Sequence, residues 1–166
     1  MEHSKRLELF ETARGRYSAF LTSVLWKLTG DRELFTEAMQ YALFSMWRHV
    51  EKLKDETATS YIYRIALSAN SKAWRNRIGK NGEIPNDLSA SGEGAGEKLG
   101  REELAKVVRR QISRLPSKQG RAIVMRYLEQ QDYQTISETL GCSMAGARSN
   151  VARALETLRS KLAVSA

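Results

Sequence analysis

Apolar residues recur at spacings of three and four along most of the chain, a pattern that predicts amphipathic α-helices. No segment alternates in the way that predicts a β-strand. Within residues 1–78 the pattern predicts three helices. The first ends near Gly30, and Asp31 is placed to cap the second, whose broad apolar stripe over residues 34–50 is expected to form the local core. A polar stretch at residues 51–57 separates the second helix from the third.

Helical periodicity resumes in residues 99–166 and breaks at Pro116, because proline disfavours helical geometry in the residue before it. A short periodic segment at residues 133–140 is followed by Gly141, which suits a left-handed helix end, and by Ser143, which can cap a final helix. A short helix, a tight turn and a longer helix form a helix-turn-helix pattern. The predicted fold class is therefore all-α.

Glycine marks the boundary between the two helical regions. Six of the eleven glycines lie between residues 79 and 100, together with Pro85 and several serines. We therefore predict two small helical domains, residues 1–78 and 99–166, joined by a flexible linker at 79–98. The linker is acidic, whereas the regions on both sides of it are basic.

Charge and composition narrow the classes of function. The 166 residues include 27 Lys and Arg against 19 Asp and Glu, a net charge of +8 that favours a polyanionic partner such as nucleic acid. No apolar run approaches the roughly 18 residues that a membrane span needs, and the charged N-terminus differs from a secretory signal, so we expect a cytoplasmic protein without a membrane partner. One cysteine and two histidines exclude a disulfide framework and a zinc cluster, and no cofactor is expected.

The outward residues at the start of the last helix are candidates for reading DNA, because the second helix of a helix-turn-helix lies in the major groove. There, Arg can bond the guanine edge bidentately and Asn can bond the adenine edge. The candidates are Ser143, Met144, Ala145, Arg148, Ser149, Asn150 and Arg153. A plain helical hairpin with a solvated basic face is the alternative interpretation.

Two parts of the chain resemble sigma factors of the extracytoplasmic-function (ECF) type in the sigma-70 superfamily. In the second region, the similarity lies in LPSKQ, RAIVMRYLE and YQTISETLGCSMAGARSNVARALETLR, which resemble the family's DNA-binding region. In the first, GDRELFTEAMQYALFSMWRHV and SYIYRIALSANSKAWRNR are similar to its polymerase-binding and promoter-melting region. Two matches in the family's order are more specific than one helix-turn-helix alone.

The resemblance implies that the first domain docks on the clamp helices of core RNA polymerase and holds the melted minus-ten strand of the promoter. The second would sit on the polymerase flap and read the minus-thirty-five element as duplex. The acidic linker would either thread toward the active-site and RNA-exit channels, with carboxylates that mimic phosphates, or act as a spacer that only sets reach. An anti-sigma factor is a further partner that the family brings into consideration.

Melting without ATP requires that the opened bases be bound well enough to offset lost stacking and pairing. By resemblance, the loop before the third helix forms a pocket for a flipped base, and the basic, aromatic end of that helix holds the strand. The residues assigned to this surface are Thr57, Ala58, Ser68, Lys72, Trp74, Arg75 and Arg77. The alternative is a solvated helix face with Trp74 in the core.

Polymerase docking is assigned by resemblance to Glu37, Gln40 and Tyr41 on the second helix. Many family members carry an Asp-Leu-Val-Gln-Glu-like run at these positions, and Tyr41 replaces the second acid. Ala58 also replaces an aromatic residue, and Asn150 stands where Arg or His is frequent. One charge-assisted polymerase contact is therefore expected to be missing, and the base preference cannot be copied from the family.

Three other classes of function are alternatives to a sigma factor. A helix-turn-helix regulator that acts without replacing the housekeeping sigma factor would need a receiver or ligand domain, and no βαβ alternation is present. An enzyme would need a phosphate-binding loop, a paired-carboxylate metal site or a nucleophile with a base, and no such motif is found. A purely protein-binding adaptor would lack salt-dependent affinity for DNA.

Overall fold

The structure, a computed structural model, describes residues 2–55, 57–81 and 95–165. Within these ranges it contains seven α-helices and no strand, which confirms the predicted all-α fold. The helices are α1 (His3–Thr29), α2 (Arg32–Arg48), α3 (Ala58–Asn81), α4 (Ala95–Ser113), α5 (Ser117–Ile123), α6 (Tyr133–Leu140) and α7 (Met144–Ser165). A 3-10 turn (Val50–Leu53) follows α2, and a π-helical turn (Val124–Leu128) extends α5.

The junction between α1 and α2 follows the predicted capping. Gly30 adopts the left-handed conformation with φ of 59°, and its N–H donates to the Trp26 carbonyl over 2.9 Å. The Asp31 carboxylate then accepts from the Leu34 N–H at 3.0 Å and caps α2. Both predictions are confirmed, because each depends only on the local backbone and the cap residue.

The first lobe, formed by α1, α2, the 3-10 turn and α3, packs three helices around one core. On α2 the fully buried side chains follow each other at every fourth position, which turns one face of the helix toward α1 and α3. They are Leu34, Ala38, Ala42 and Met46, each no more than 1% exposed. The predicted apolar stripe of α2 therefore does form the core of this lobe.

The second lobe consists of α4 to α7. As predicted at Pro116, α4 ends at Ser113 and a new helix begins at Ser117. The π-helical turn was not predicted, since its widened hydrogen bonds, such as Glu129 N–H to the Val124 carbonyl at 3.0 Å, leave no trace in a three-and-four spacing. Gln130 follows with a positive φ of 53° and turns the chain toward α6.

The two lobes pack directly against each other. Helix α3 contacts α4, α5 and α6, α1 contacts α4, and buried side chains of both lobes belong to one apolar cluster. Helix α3 runs through Asn81 and α4 begins at Ala95, so both ends of the predicted linker at 79–98 are helical. Residues 82–94 of that linker lie outside the described residues.

Candidate functional site

The helix-turn-helix is built by two local caps. Asp132 accepts from the Thr135 N–H at 2.8 Å and begins α6, and Gly141 ends it with a left-handed φ of 68°. Ser143 Oγ then accepts from the Gly146 N–H at 3.0 Å and begins α7. A Cβ on Gly146 would lie 3.2 Å from that hydroxyl, so a larger residue there would crowd the cap. The predicted roles of Gly141 and Ser143 are confirmed.

Helix α7 buries one face against α5 and α6 and exposes the other. Ala147, Val151 and Ala154 are no more than 2% exposed on the inner face. Of the residues predicted to read DNA, all but one are exposed: Ser143, Met144, Ala145, Arg148, Ser149 and Arg153. The exception is Asn150, which is half-buried and donates through Nδ2 to the Gly146 carbonyl at 3.0 Å.

The predicted polymerase-docking residues share one face of α2. Glu37 and Tyr41 lie one turn apart, and the Tyr41 hydroxyl donates to Glu37 Oε1 at 3.1 Å. Asn76 of α3 donates through Nδ2 to both Glu37 Oε1 and the Tyr41 oxygen. Desolvation, with the hydrogen bond to Glu37 as a second cause, raises the pKa of Tyr41. Gln40 is exposed beside this network, and the three residues border a cleft of about 630 Å³.

Tyr41 also faces the predicted strand-binding surface. The Lys72 ammonium lies 4.5 Å from the centre of the Tyr41 ring, a cation–π geometry. The residue that departs from the family's acidic pattern therefore bonds to Glu37 through its hydroxyl and contacts Lys72 through its ring. The departure at Tyr41 is evident from the sequence, but the contact with Lys72 is not, because it joins side chains on different helices.

Three of the predicted strand-binding residues form an exposed row along α3. Ser68, Lys72 and Arg75 follow each other at spacings of four and three, so they lie on one helix face. Thr57 is exposed at the start of α3, and its N–H and hydroxyl both donate to Asp55 Oδ1, at 2.9 and 2.6 Å. The Thr57 hydroxyl bond, followed by the backbone bond, lowers the pKa of Asp55. These contacts fix the loop before α3.

The structure corrects the predictions for three other residues on this surface. Trp74 is 2% exposed and Ala58 is 1% exposed, so neither side chain can contact a DNA strand in this conformation. For Trp74, the core alternative is the correct one. Arg77 is half-buried and pairs with Asp31 Oδ1 at 2.8 Å and Glu33 Oε2 at 3.4 Å, so its charge is already used within the first lobe.

The residues that join the two lobes were missed by sequence analysis. Three residues of α3, at every fourth position, contact the second lobe. The Tyr63 oxygen accepts a hydrogen bond from Gln131, and Leu67 lies against Gly120. Ser71 Oγ donates to the Ser113 carbonyl at 2.6 Å. Burial, followed by the charge of Glu129, raises the pKa of Tyr63 to about 12. The four-residue spacing of these positions is visible in the sequence, but the residues of the second lobe that they contact are not.

Metal chemistry has no candidate among the described residues, since they contain no group of three or more His, Cys, Asp or Glu placed to hold an ion. Cys142 is a half-buried free thiol in the turn before α7. Among the described helices, none combines the length and apolar character that crossing a bilayer requires.

Both lobes match known protein families in the predicted order. Residues 14–78 match the family Sigma-70 region 2, and residues 105–158 match the family Sigma-70, region 4. The chain is 29% identical over 133 residues to RNA polymerase sigma factor SigZ of Bacillus subtilis, covering 80% of this chain and 74% of that protein. It is 28% identical over 165 residues to RNA polymerase sigma-E factor of Streptomyces avermitilis, covering 98% of this chain and 89% of the relative.

Proposed function

Because the chain belongs to the sigma-70 family of RNA polymerase sigma factors and is of the ECF type, we propose how its two lobes divide promoter recognition between them. The second lobe reads the minus-thirty-five element as duplex through α7. The first lobe binds core RNA polymerase through α2 and the melted minus-ten strand through α3. The chain between α3 and α4 connects them.

The exposed start of α7 is the observation that carries this proposal. Its Ser143 cap fixes the helix, its inner face is packed, and Arg148 and Arg153 project outward with no ion pair in the part of the chain that the structure describes. An exposed guanidinium at the start of such a helix can bond a guanine edge in two places. Because Asn150 bonds to its own helix, we assign base reading to Arg148 ahead of Asn150.

On the first lobe, the Glu37, Gln40 and Tyr41 face supports polymerase docking. The carboxylate of Glu37 accepts hydrogen bonds from Tyr41 and Asn76, both neutral donors, and these bonds fix its position for contact with a basic partner surface. The exposed row of Ser68, Lys72 and Arg75 supports binding of an opened strand, since two cations and a hydroxyl along one helix face match a phosphate backbone.

Sigma factors in general initiate transcription without an enzymatic activity of their own, and we assign none to this chain. The proposed site of action is the cytoplasm, where core polymerase and promoter DNA are found. The clamp helices and the flap of the two large subunits are the proposed contact sites on polymerase. An anti-sigma factor is a proposed regulator.

Reconstitution with core polymerase on a library of random promoters, followed by sequencing of the transcripts, tests this function. We expect transcripts that start at a fixed distance from a shared pair of sequence elements, with no housekeeping sigma factor present. Core polymerase alone is the control. If starts with the protein match those without it, or appear only when a housekeeping sigma factor is added, the proposed function is wrong and a conventional regulator is favoured.

A further inference from the structure

A cleft of about 460 Å³ lies between the two lobes, and none of the described residues that line it belongs to α7. Its walls come from α2, the 3-10 turn and α3 on one side, and from α4, α5 and the turn between them on the other. The lining includes the polar or aromatic residues His49, Lys52, Tyr61, Arg64, Ser68 and Ser117.

The cleft is strongly one-sided in charge. Lys52 and Arg64 contribute two permanent cations, and none of the residues that line the cleft is acidic. Arg64 is exposed and forms no hydrogen bond or ion pair with any described residue. The Lys52 ammonium lies 5.3 Å from the centre of the Tyr61 ring, so its contact is with an aromatic face and leaves its charge without an anion.

A third cation lies near the cleft without an acidic partner. Arg121 of α5 is 5% exposed, and its Nε is buried with no hydrogen bond among the described residues. Burial is the largest cause that lowers the pKa of Arg121, and the like charge of Arg64 across the interface is the second. Packing the lobes together therefore brings cations of both lobes near each other, at an electrostatic cost that a bound anion would offset.

We infer that this cleft binds a small phosphate-bearing anion, and that the bound anion holds the two lobes together. Guanidinium and ammonium groups beside hydroxyls form the donor set that recognises phosphate oxygens. Lys52 and Arg64 supply the charge from the first lobe, with the hydroxyl of Ser68 beside them, and Ser117 supplies a hydroxyl from the second. A ligand that bridges both lobes stabilises their packed arrangement in proportion to its occupancy.

Titration calorimetry of the full chain with inorganic pyrophosphate, at constant ionic strength and without polymerase or DNA, tests the site. We expect one site per chain, and we expect Arg64→Gln and Lys52→Gln each to raise the dissociation constant by about tenfold or more. The matched control is Arg16→Gln, an exposed cation on α1 outside the cleft, which should leave the constant unchanged. Equal weakening by all three substitutions would indicate unspecific attraction and overturn the proposal.

A second variant tests whether the anion binds between the two lobes or to one lobe alone. Leu67→Asn places an uncharged polar amide against Gly120 at the interface between the lobes, so it weakens their packing without adding a negative charge to the cleft, and it leaves Lys52 and Arg64 in place. We expect a helical circular dichroism spectrum like that of the wild type, with pyrophosphate binding reduced about tenfold or more. Undiminished binding in a variant whose lobes have separated, as shown by a larger radius of gyration in X-ray scattering, would overturn the bridging role.

The nature of the phosphate ligand is resolved by parallel titrations. Tighter binding of ATP than of pyrophosphate would assign the site to nucleotides, and equal binding would assign it to the phosphate groups alone. Binding of a ten-nucleotide single strand with no binding of either small anion would overturn the proposal, since the cations would then serve only DNA. If pyrophosphate does not bind, the proposed transcription function is unaffected, because reconstitution with polymerase tests that function separately.

Discussion

The guanidinium of Arg109, in the second lobe, lies against the C-terminus of α1, where its Nε donates to the Lys27 carbonyl over 3.0 Å. The last carbonyls of a helix lack partners within the helix and carry the negative end of its dipole. Arg109 therefore caps a helix of the first lobe with a cation from the second. The Lys27 side chain forms a second contact between the lobes, an ion pair in which its ammonium lies 3.3 Å from Glu129 Oε1.

Gly30 makes this contact sterically allowed, and Gly30→Ala should disrupt it. The residue has a left-handed φ of 59°, and an added Cβ would lie 2.3 Å from the Arg109 guanidinium. We expect a loss of about 1–2 kcal/mol from the backbone strain, together with weaker protection of the interface between the lobes. Urea unfolding measures the first effect, and hydrogen exchange of α4 amides measures the second.

Gly15→Ala is the matched control for that substitution. Gly15 lies inside α1, the helix that Gly30 ends, is exposed, and has nothing within 4 Å of an added Cβ. The same chemical change should therefore stabilise the protein by about 0.5–1 kcal/mol, because alanine loses less backbone entropy in a helix. If both variants changed stability in the same direction, the special role of Gly30 would be refuted.

Arg148→Ala should weaken binding to the preferred promoter by about 1–3 kcal/mol and relax the preference at one base position. Its side chain is exposed at the capped start of α7, where we propose that base edges are read. Fluorescence anisotropy with every single-base variant of the minus-thirty-five element measures the change. Arg159→Ala, also exposed on α7, is the control and should leave base preference unaltered. Equal losses on every sequence would make Arg148 a phosphate contact.

Glu37→Gln combined with Gln40→Ala should reduce affinity for core polymerase about tenfold, because a held carboxylate loses its charge and a neighbouring amide is removed. Tyr41→Phe should cause a smaller loss, since it removes the hydroxyl bond to Glu37 and keeps the ring beside Lys72. Co-purification and competition assays report both. Glu8→Gln, on the exposed part of α1, is the control. Unaltered association of the double variant would remove this face from the docking surface.

Ser68→Ala and Lys72→Gln should impair promoter opening more than promoter binding. Both positions belong to the exposed row on α3, and contacts with an opened strand exist only after melting. Permanganate reactivity of unpaired thymines measures opening, and gel mobility of the closed complex measures binding. Lys5→Gln serves as the charge-matched control. Wild-type reactivity in both row variants would contradict the assignment of this row.

Ionised Asp31 should stabilise the first lobe, so the free energy of unfolding should fall at acidic pH. The hydrogen bond from Arg77 is the main cause that lowers the pKa of Asp31 below its usual 3.8. A lowered folded-state pKa means that the stabilisation is complete above the unfolded value and is lost as the pH falls below about 4 toward the folded value. Urea unfolding between pH 3 and about 6 should show this loss.

The matched variant for Asp31 is Asp31→Asn, which keeps an oxygen to cap α2 but removes the charge that Arg77 binds. The difference in unfolding free energy between the wild type and this variant should be largest near neutral pH and should shrink in acid. A difference that stays constant across the pH range would show that the ion pair contributes nothing measurable, as exposed pairs often do.

The features that sequence analysis predicted are those decided within a few residues. Gly30 with Asp31, and Gly141 with Ser143, end one helix and begin the next through backbone geometry and a nearby side-chain oxygen, so their roles could be predicted from residue type and position. The all-α fold likewise depended on spacings of three and four, which persist through most of the chain.

The features that sequence analysis missed depend on what a side chain meets from another helix. Trp74 and Arg77 lie within a basic and aromatic segment that is typical of a strand-binding helix end, yet the indole is buried and the guanidinium pairs with Asp31. The cleft between the lobes depends on the meeting of Arg64 and Ser117, which lie 53 positions apart in the sequence. A single sequence does not encode such pairings in any local pattern.

The packing of α3 against α4 and α5 has a consequence for reach along the double helix. A compact chain of this length has a radius of gyration of about 15 Å and is therefore about 40 Å wide. The minus-ten and minus-thirty-five elements are separated by about 25 base pairs, or roughly 85 Å at about 3.4 Å per step. A chain in the packed arrangement spans about half of that length. For both lobes to bind one promoter as proposed, they must first separate, and the free energy of that separation is subtracted from the affinity for the promoter.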